Sequence, residues 1–129
     1  MAGLSTSSRN SLLDVLVNGT AWAADAARYL SLHTADPGTT GASEVTGSAY
    51  ARVDVTASFP NAAAGLCSND VAITFPTVTT TGYTVTHWGL WSAATAGTFR
   101  AGGDVSPDKV LAVGGIPEFA IGELDLAAS

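Results

Sequence analysis

Two histidines, one cysteine and a few dispersed carboxylates are the catalytic raw material of this chain, and none stands at the spacing of a known device. Nucleophilic catalysis needs a hydroxyl or thiol held against a base, yet no Gly-x-Ser-x-Gly turn exposes a serine. His33 and His87 each sit inside an apolar stretch without a partner at motif spacing, so hydrogen-bonded structural roles are expected for both. Cys67 is single, which rules out an internal disulfide and a thiolate cluster and leaves a small core filler. There is no H-E-x-x-H, no paired Cys-x-x-Cys and no calcium loop, so no metal site is expected. Gly102-Gly103 leads into Asp104, and Gly114-Gly115 into Ile116-Pro117. Both pairs read as turns rather than phosphate cradles, and no cofactor is expected. Glu118, Glu123 and Asp125 hold the minimum for a glycosidase pair or a cation, but a solvated strand face explains them as well. Trp88 and Trp91 could form a stacking platform for a sugar or base; core or subunit interface is the preferred reading. With no catalytic residue singled out, the expectation is a protein that is not an enzyme.

Charge narrows the partners further. Eleven acids against five bases give a net charge of −6, and the bases Arg9, Arg28, Arg52, Arg100 and Lys109 are scattered. Nucleic-acid binders concentrate Lys and Arg because phosphate neutralisation drives their affinity, so a nucleic-acid partner is not expected. Apolar residues make up 47% of the chain and charged ones only 12%, about half the usual charged share. Much of the exterior must then be neutral, either as exposed Thr, Ser, Ala and Gly or as surface covered by neighbours; an assembly subunit is the preferred reading. Residues 71 to 99 carry no formal charge, but Thr recurs there with Pro76, Gly82, Gly89 and Gly97, which suits strands rather than a membrane span. The first residues do not read as an export signal, because Ser5 to Asn10 are polar and Asp14 interrupts the apolar run that follows.

The elements that would position these residues are mostly strands. Leu12, Val15 and Leu16 fall at helical spacing, with Arg9, Asn10 and Asp14 free to face water, which predicts one short N-terminal helix over 7–17. Asn18-Gly19 supplies a left-handed helix ending, and the Asn18-Gly19-Thr20 glycosylation triplet reads as that same turn. The helix could be an arm docking on a neighbour through Leu12, Val15 and Leu16, or a cover for one end of its own body.

From about 28 to 126 the chain punctuates with Gly, Pro, Asn and Asp between stretches rich in Thr, Val and aromatics. Leu30 and Leu32 share a side of a strand over 29–33, and an exposed loop is expected from Asp36-Pro37-Gly38 to about Ser48. Ala51, Val53 and Val55 alternate with Tyr50, Arg52, Asp54 and Thr56, and Val71, Ile73 and Phe75 repeat the pattern. Tyr83 to Ser92 reads as a longer strand buried on both faces. Phe119 and Ile121 differ in parity from Leu124 and Leu126, which predicts a bulge near Gly122. No internal repeat or heptad interrupts this. The expected fold is mainly β: a single domain over 1–129, an antiparallel β-sandwich or jelly-roll-like barrel with one short N-terminal α-helix.

Several stretches in order resemble one family. They are Leu12-Leu13 with Gly19-Thr20, Leu30-Ser31-Leu32-His33-Thr34-Ala35-Asp36-Pro37, Tyr50-Ala51-Arg52 and Val71-Ala72-Ile73-Thr74-Phe75-Pro76. Val85-Thr86-His87-Trp88-Gly89-Leu90-Trp91 is similar to that family's central strand, and Phe119-Ala120-Ile121-Gly122-Glu123-Leu124-Asp125 to its closing one. The chain resembles short proteins of tailed-phage structural gene clusters that are labelled tail-fibre or minor structural proteins. It departs from them at Phe99-Arg100-Ala101-Gly102-Gly103, where an aliphatic strand is expected, which leaves the pairing there open.

The resemblance implies a virion component, assembled in the host cytoplasm, with no catalytic residue. Its partners would be other virion proteins, the major capsid protein or tail subunits, and copies of itself in a homo-oligomer. A capsid decoration or cement protein suits a small acidic body without shaft or repeat, because many weakly docked copies gain strength through multivalency. The alternative is a tail-fibre or tail-tip accessory touching the host through Trp88, Trp91 or the 36–48 loop. A carbohydrate-binding module is the third option. The subunit interface would draw on Leu12, Val15, Leu16, Trp88 and Trp91.

Overall fold

A computed structural model describes residues 3–127. Helix α1 spans Thr6–Asn18; the Ser5 hydroxyl accepts the Ser8 N–H at its start, and Gly19 ends it at φ 67° with its N–H bonded to the Asp14 carbonyl. Both ends thus form where the sequence predicts, one residue longer on each side, because a serine caps orphan N–H groups and glycine tolerates the left-handed turn. Eight strands follow among the described residues: β1 (Tyr29–His33), β2 (Val53–Asp54), β3 (Leu66–Ser68), β4 (Ile73–Thr74), β5 (Tyr83–Trp91), β6 (Phe99–Leu111), β7 (Glu118–Phe119) and β8 (Asp125–Ala127).

The architecture is mainly β and wholly antiparallel. A four-stranded sheet runs β2-β1-β5-β6, and two ribbons, β3-β8 and β4-β7, complete a sandwich; no barrel closes, which decides between the two architectures expected. Leu30, Leu32, Val85 and Trp88 from the main sheet meet Ile73, Phe75, Phe119 and Leu124 from the ribbon side in one buried cluster. Each such side chain contributes about 1.5–3 kcal/mol by leaving water. Phe75 and Phe119 meet edge to face at 6.2 Å.

Register puts Trp88 opposite Gly103 and Gly89 opposite Gly102. A Cβ at Gly103 would lie 2.7 Å from the Trp88 indole, so glycine lets the ring lie flat on the neighbouring strand. Phe99 to Gly103, the stretch whose pairing was open, therefore belongs to the longest strand. Gly102-Gly103 is not a turn, whereas Val113-Gly114 is one.

Other expectations need correction. The alternating 50–56 segment forms only the two-residue β2, and Tyr50 turns inward to stack on Phe75 at 6.3 Å. Val71 is exposed although Ile73 and Phe75 are buried, because the strand starts only at Ile73. Phe119 and Leu124 both reach the core, not through a bulge but through a turn at Ile121-Gly122 in which the Glu123 N–H bonds the Ala120 carbonyl and Ile121 is left exposed. Cys67 sits half-buried on β3, its thiol directed to the Pro60 carbonyl at 3.2 Å, rather than in the core. The 36–48 loop is exposed at most positions, as expected, but Pro37, Gly41 and Val45 are buried and anchor it, and Glu44 bridges back to His33.

Candidate functional site

On the face of the main sheet away from the ribbons, alternation along β1 places Ser31 and His33 side by side, both fully buried. His33 Nδ1 lies 2.7 Å from the Ala42 carbonyl, which can only accept, so Nδ1 carries the proton. Nε2 is then an acceptor, and the Ser31 hydroxyl donates to it at 2.7 Å while accepting the Trp91 indole N–H at 2.9 Å. Burial pushes the His33 pKa below its ordinary value, which favours this neutral tautomer. A serine donating to a histidine is the first half of a nucleophilic dyad, but here the pair is sealed. A Cβ on Gly89 would meet Ser31 Oγ at 2.5 Å and His33 Nε2 at 2.6 Å, which leaves no space for a substrate.

The same network extends outward through Trp91. The Arg52 guanidinium lies 3.8 Å over its ring, donates twice to Glu44 at 2.8 Å, and spends its remaining Nη on the Ala93 and Ala96 carbonyls. Tyr50 also donates to Glu44, at 2.7 Å. Burial alone would raise the Glu44 pKa, but the Arg52 and Tyr50 hydrogen bonds outweigh it and hold the carboxyl below its usual value. Six side chains far apart in sequence thus clamp the 36–48 loop and the β5–β6 turn onto the sheet. Arg52, Glu44 and Ser31 were not read as site residues from sequence, and Tyr50 and Arg52 were placed only on the strand face opposite Ala51, Val53 and Val55; only the chemical type of Arg and Glu hinted at a pair.

The remaining chemical candidates do not converge. His87 pairs with exposed Asp104 at 2.8 Å and with the Thr86 hydroxyl. Glu123 is held by Lys109 at 2.6 Å, Asp125 accepts from Ser68, and Glu118 is 3.4 Å from Thr74, so the three carboxylates serve separate local contacts. Among the described residues no group of His, Cys, Asp and Glu is placed to hold a metal ion, and no helix is long and apolar enough to cross a membrane.

Of the five residues proposed for a subunit interface, Trp88 is 3% exposed and has no surface to offer, because Gly103 admits its ring into the core. Trp91 is half-buried under Arg52. Leu12 is half-buried against the body, whereas Val15 and Leu16 are exposed. Leu12 lies on the same stripe as buried Ser8, and the exposed positions follow it toward the C-terminal end of the helix. Ser5 and Ser8 point inward at 2% and 0% exposure, while Leu13, Leu16 and Val17, three and four residues apart on one face, stand out at 55%, 70% and 75%. Leu12, Leu13, Val15, Leu16 and Val17 spread over more than half of the wheel, so periodicity alone did not choose the buried side. The small serines did, by allowing the helix to approach β6.

Beside the helix opens an apolar groove that sequence reading missed. One cavity of about 340 Å³ is walled by Leu4, Ser8, Trp22 and Leu90; a second, of about 250 Å³, by Phe59, Cys67 and Trp88. Arg28, Leu90 and Leu126 line both, which makes them one trough along the end of the sandwich. Its rim carries the Arg100–Asp25 pair, bidentate at 2.7 and 2.9 Å, and Arg28, which donates to the Asp25 and Thr56 carbonyls.

No curated protein matches the chain. A family model described as podophage GP4 fiber I protein gp80 matches residues 3–127, nearly the whole sequence and every element described above. The match covers more than half of the chain, and the chain belongs to this podophage fibre protein family, whose members are fibre-type structural components of the virion.

Proposed function

We propose that this chain is a non-enzymatic fibre subunit of a short-tailed phage, fastened to a neighbouring virion protein by the outer face of α1. The observation that carries this reading is the exposure of Leu13, Leu16 and Val17 on a helix whose inward face is serine. A contiguous apolar stripe on a soluble body is costly unless a partner covers it. The family supports the fibre, and the low charge content supports a subunit whose neutral exterior is shared with neighbours.

A second reading, capsid decoration, draws on the absence of any repeat or coiled-coil heptad that could build a shaft, and on the compact acidic body. Copy number separates the two. Quantitative mass spectrometry of purified particles is expected to give a small copy number, of the order of the tail proteins. A value close to that of the major capsid protein would instead select decoration. Labelled antibody imaged on whole particles should mark the tail.

A further inference from the structure

We propose that the occupant of the groove is α1 of a second copy of this chain, so that two copies exchange helix faces across a two-fold axis. The proposal rests on the reading of α1 as a docking face and names what that face docks into. The chain presents two unfilled halves of one contact: an apolar helix face without a cover and an apolar trough without contents. They lie side by side, because Leu4 and Ser8 belong to the helical arm and also wall the trough. Adjacent complementary halves are what a self-complementary two-fold interface requires.

Size and charge agree. A cavity of about 150 Å³ admits a benzene-sized group, so the wider part of the trough, about 340 Å³, takes Leu16 together with Leu13 or Val17. The C-terminal half of α1 is negative: Asp14 lies there, no basic residue stands in the last turn, and the last carbonyls carry the negative end of the helix dipole. At the rim of the trough Arg100 is neutralised by Asp25, whereas the Arg28 guanidinium is engaged only by main-chain carbonyls and leaves one positive charge there. A stable interface buries about 800 Å² on each partner. One helix of 13 residues, about 20 Å long, falls short of that on a flat surface, whereas reciprocal insertion joins two helices and two troughs in a single contact.

Sedimentation equilibrium of the full chain tests this, with Leu16→Asp to spoil the helix face and Ala24→Trp to plug the trough. The wild type is expected to form a dimer at concentrations up to about 100 µM. Each variant should weaken it at least tenfold while keeping the circular dichroism and melting behaviour of the folded monomer. A wild type that stays monomeric overturns the proposal, as does a dimer that survives Leu16→Asp. Loss of the dimer in Leu16→Asp but not in Ala24→Trp overturns it too, since the helix would then dock elsewhere than the trough. If the wild type is monomeric and phage carrying Leu16→Asp still lose the subunit, self-pairing fails while docking on another virion protein stands.

Discussion

Over the face of the main sheet that carries Ser31 and His33, a polar network ends on itself: His33, Ser31, Trp91, Arg52, Glu44 and Tyr50 hold one another, and no buried side-chain nitrogen or oxygen among the described residues lacks a partner. At the end of the sandwich beside α1 the opposite holds. Four large aliphatic side chains of α1, Leu13, Val15, Leu16 and Val17, point to solvent next to an apolar trough. The first region is complete within one chain, as a stabilising device must be, and the second leaves apolar surface uncovered, which the proposed partner would cover. Polar groups and hydroxyls usually advertise function, but here they secure the fold, and the surface proposed to meet other molecules is hydrocarbon.

Substitutions should therefore act on folding in the clamp and on association at the helix. The largest effect is expected at Arg52. Its side chain is 8% exposed and its partner Glu44 20%, so Arg52→Ala strands a half-buried carboxylate, uncovers Trp91 and frees the Ala93 and Ala96 carbonyls. Breaking such a pair costs about 3 kcal/mol, to be read as a lower urea midpoint at unchanged slope. Retention of wild-type stability would mean that the clamp is decorative. Next comes Gly89→Ala. The new methyl would sit 2.5 Å from Ser31 Oγ and 2.6 Å from His33 Nε2, and overpacking of this kind costs about 2 kcal/mol. Ser31→Ala in the same chain should recover part of that loss by clearing one of the two collisions.

A smaller effect follows from acid. The His33 pKa is lowered in the folded chain because burial disfavours the imidazolium, so the unfolded chain binds the extra proton first. Stability is then fully present above the ordinary histidine value of 6.5 and falls as pH drops from there toward the depressed folded value. Glu44, also held below its usual value, adds a loss of the same sign at lower pH. Urea midpoints measured from pH 8 down to pH 4 should decline, and His33→Gln should flatten the upper part of the decline. A midpoint that rises in acid would contradict the tautomer assigned to His33.

The parts of this fold that were legible in the sequence are those governed by local rules. Ser5 and Gly19 bound α1 through hydrogen-bond caps, and the alternation of Leu30 and Leu32 with their neighbours marks the core face of β1. What was not legible depends on contacts between distant residues. β6 contains Gly102, Gly103 and Pro107, a composition that reads as loop, and it is a strand because Trp88 and Phe99 need backbone without side chains beside them. Alternation placed Arg52 on the face opposite Val53 and Val55 but did not name its partners, Trp91 and Glu44, which lie 39 and 8 positions away. The helix stayed open between docking arm and cover for a different reason: five aliphatics in six positions spread over more than half of the wheel, and which of them are buried is set by Ser8 against the sheet edge.

The smallest effect on folding, and the sharpest contrast with the clamp, is expected at Leu16. At 70% exposure it touches little of its own chain, so Leu16→Ser should change stability by no more than about 0.5 kcal/mol. Leu30→Ala, at 0% exposure, should cost about 3 kcal/mol as a core control. Incorporation should show the reverse order of severity. Particles grown with Leu16→Ser are expected to lose most of the subunit, because a serine removes the apolar contact but leaves the helix and its caps in place. If Leu16→Ser instead destabilised the purified chain as Leu30→Ala does, the helix would be packing on its own body, and the division between a self-sufficient clamp and a partner-dependent helix would collapse.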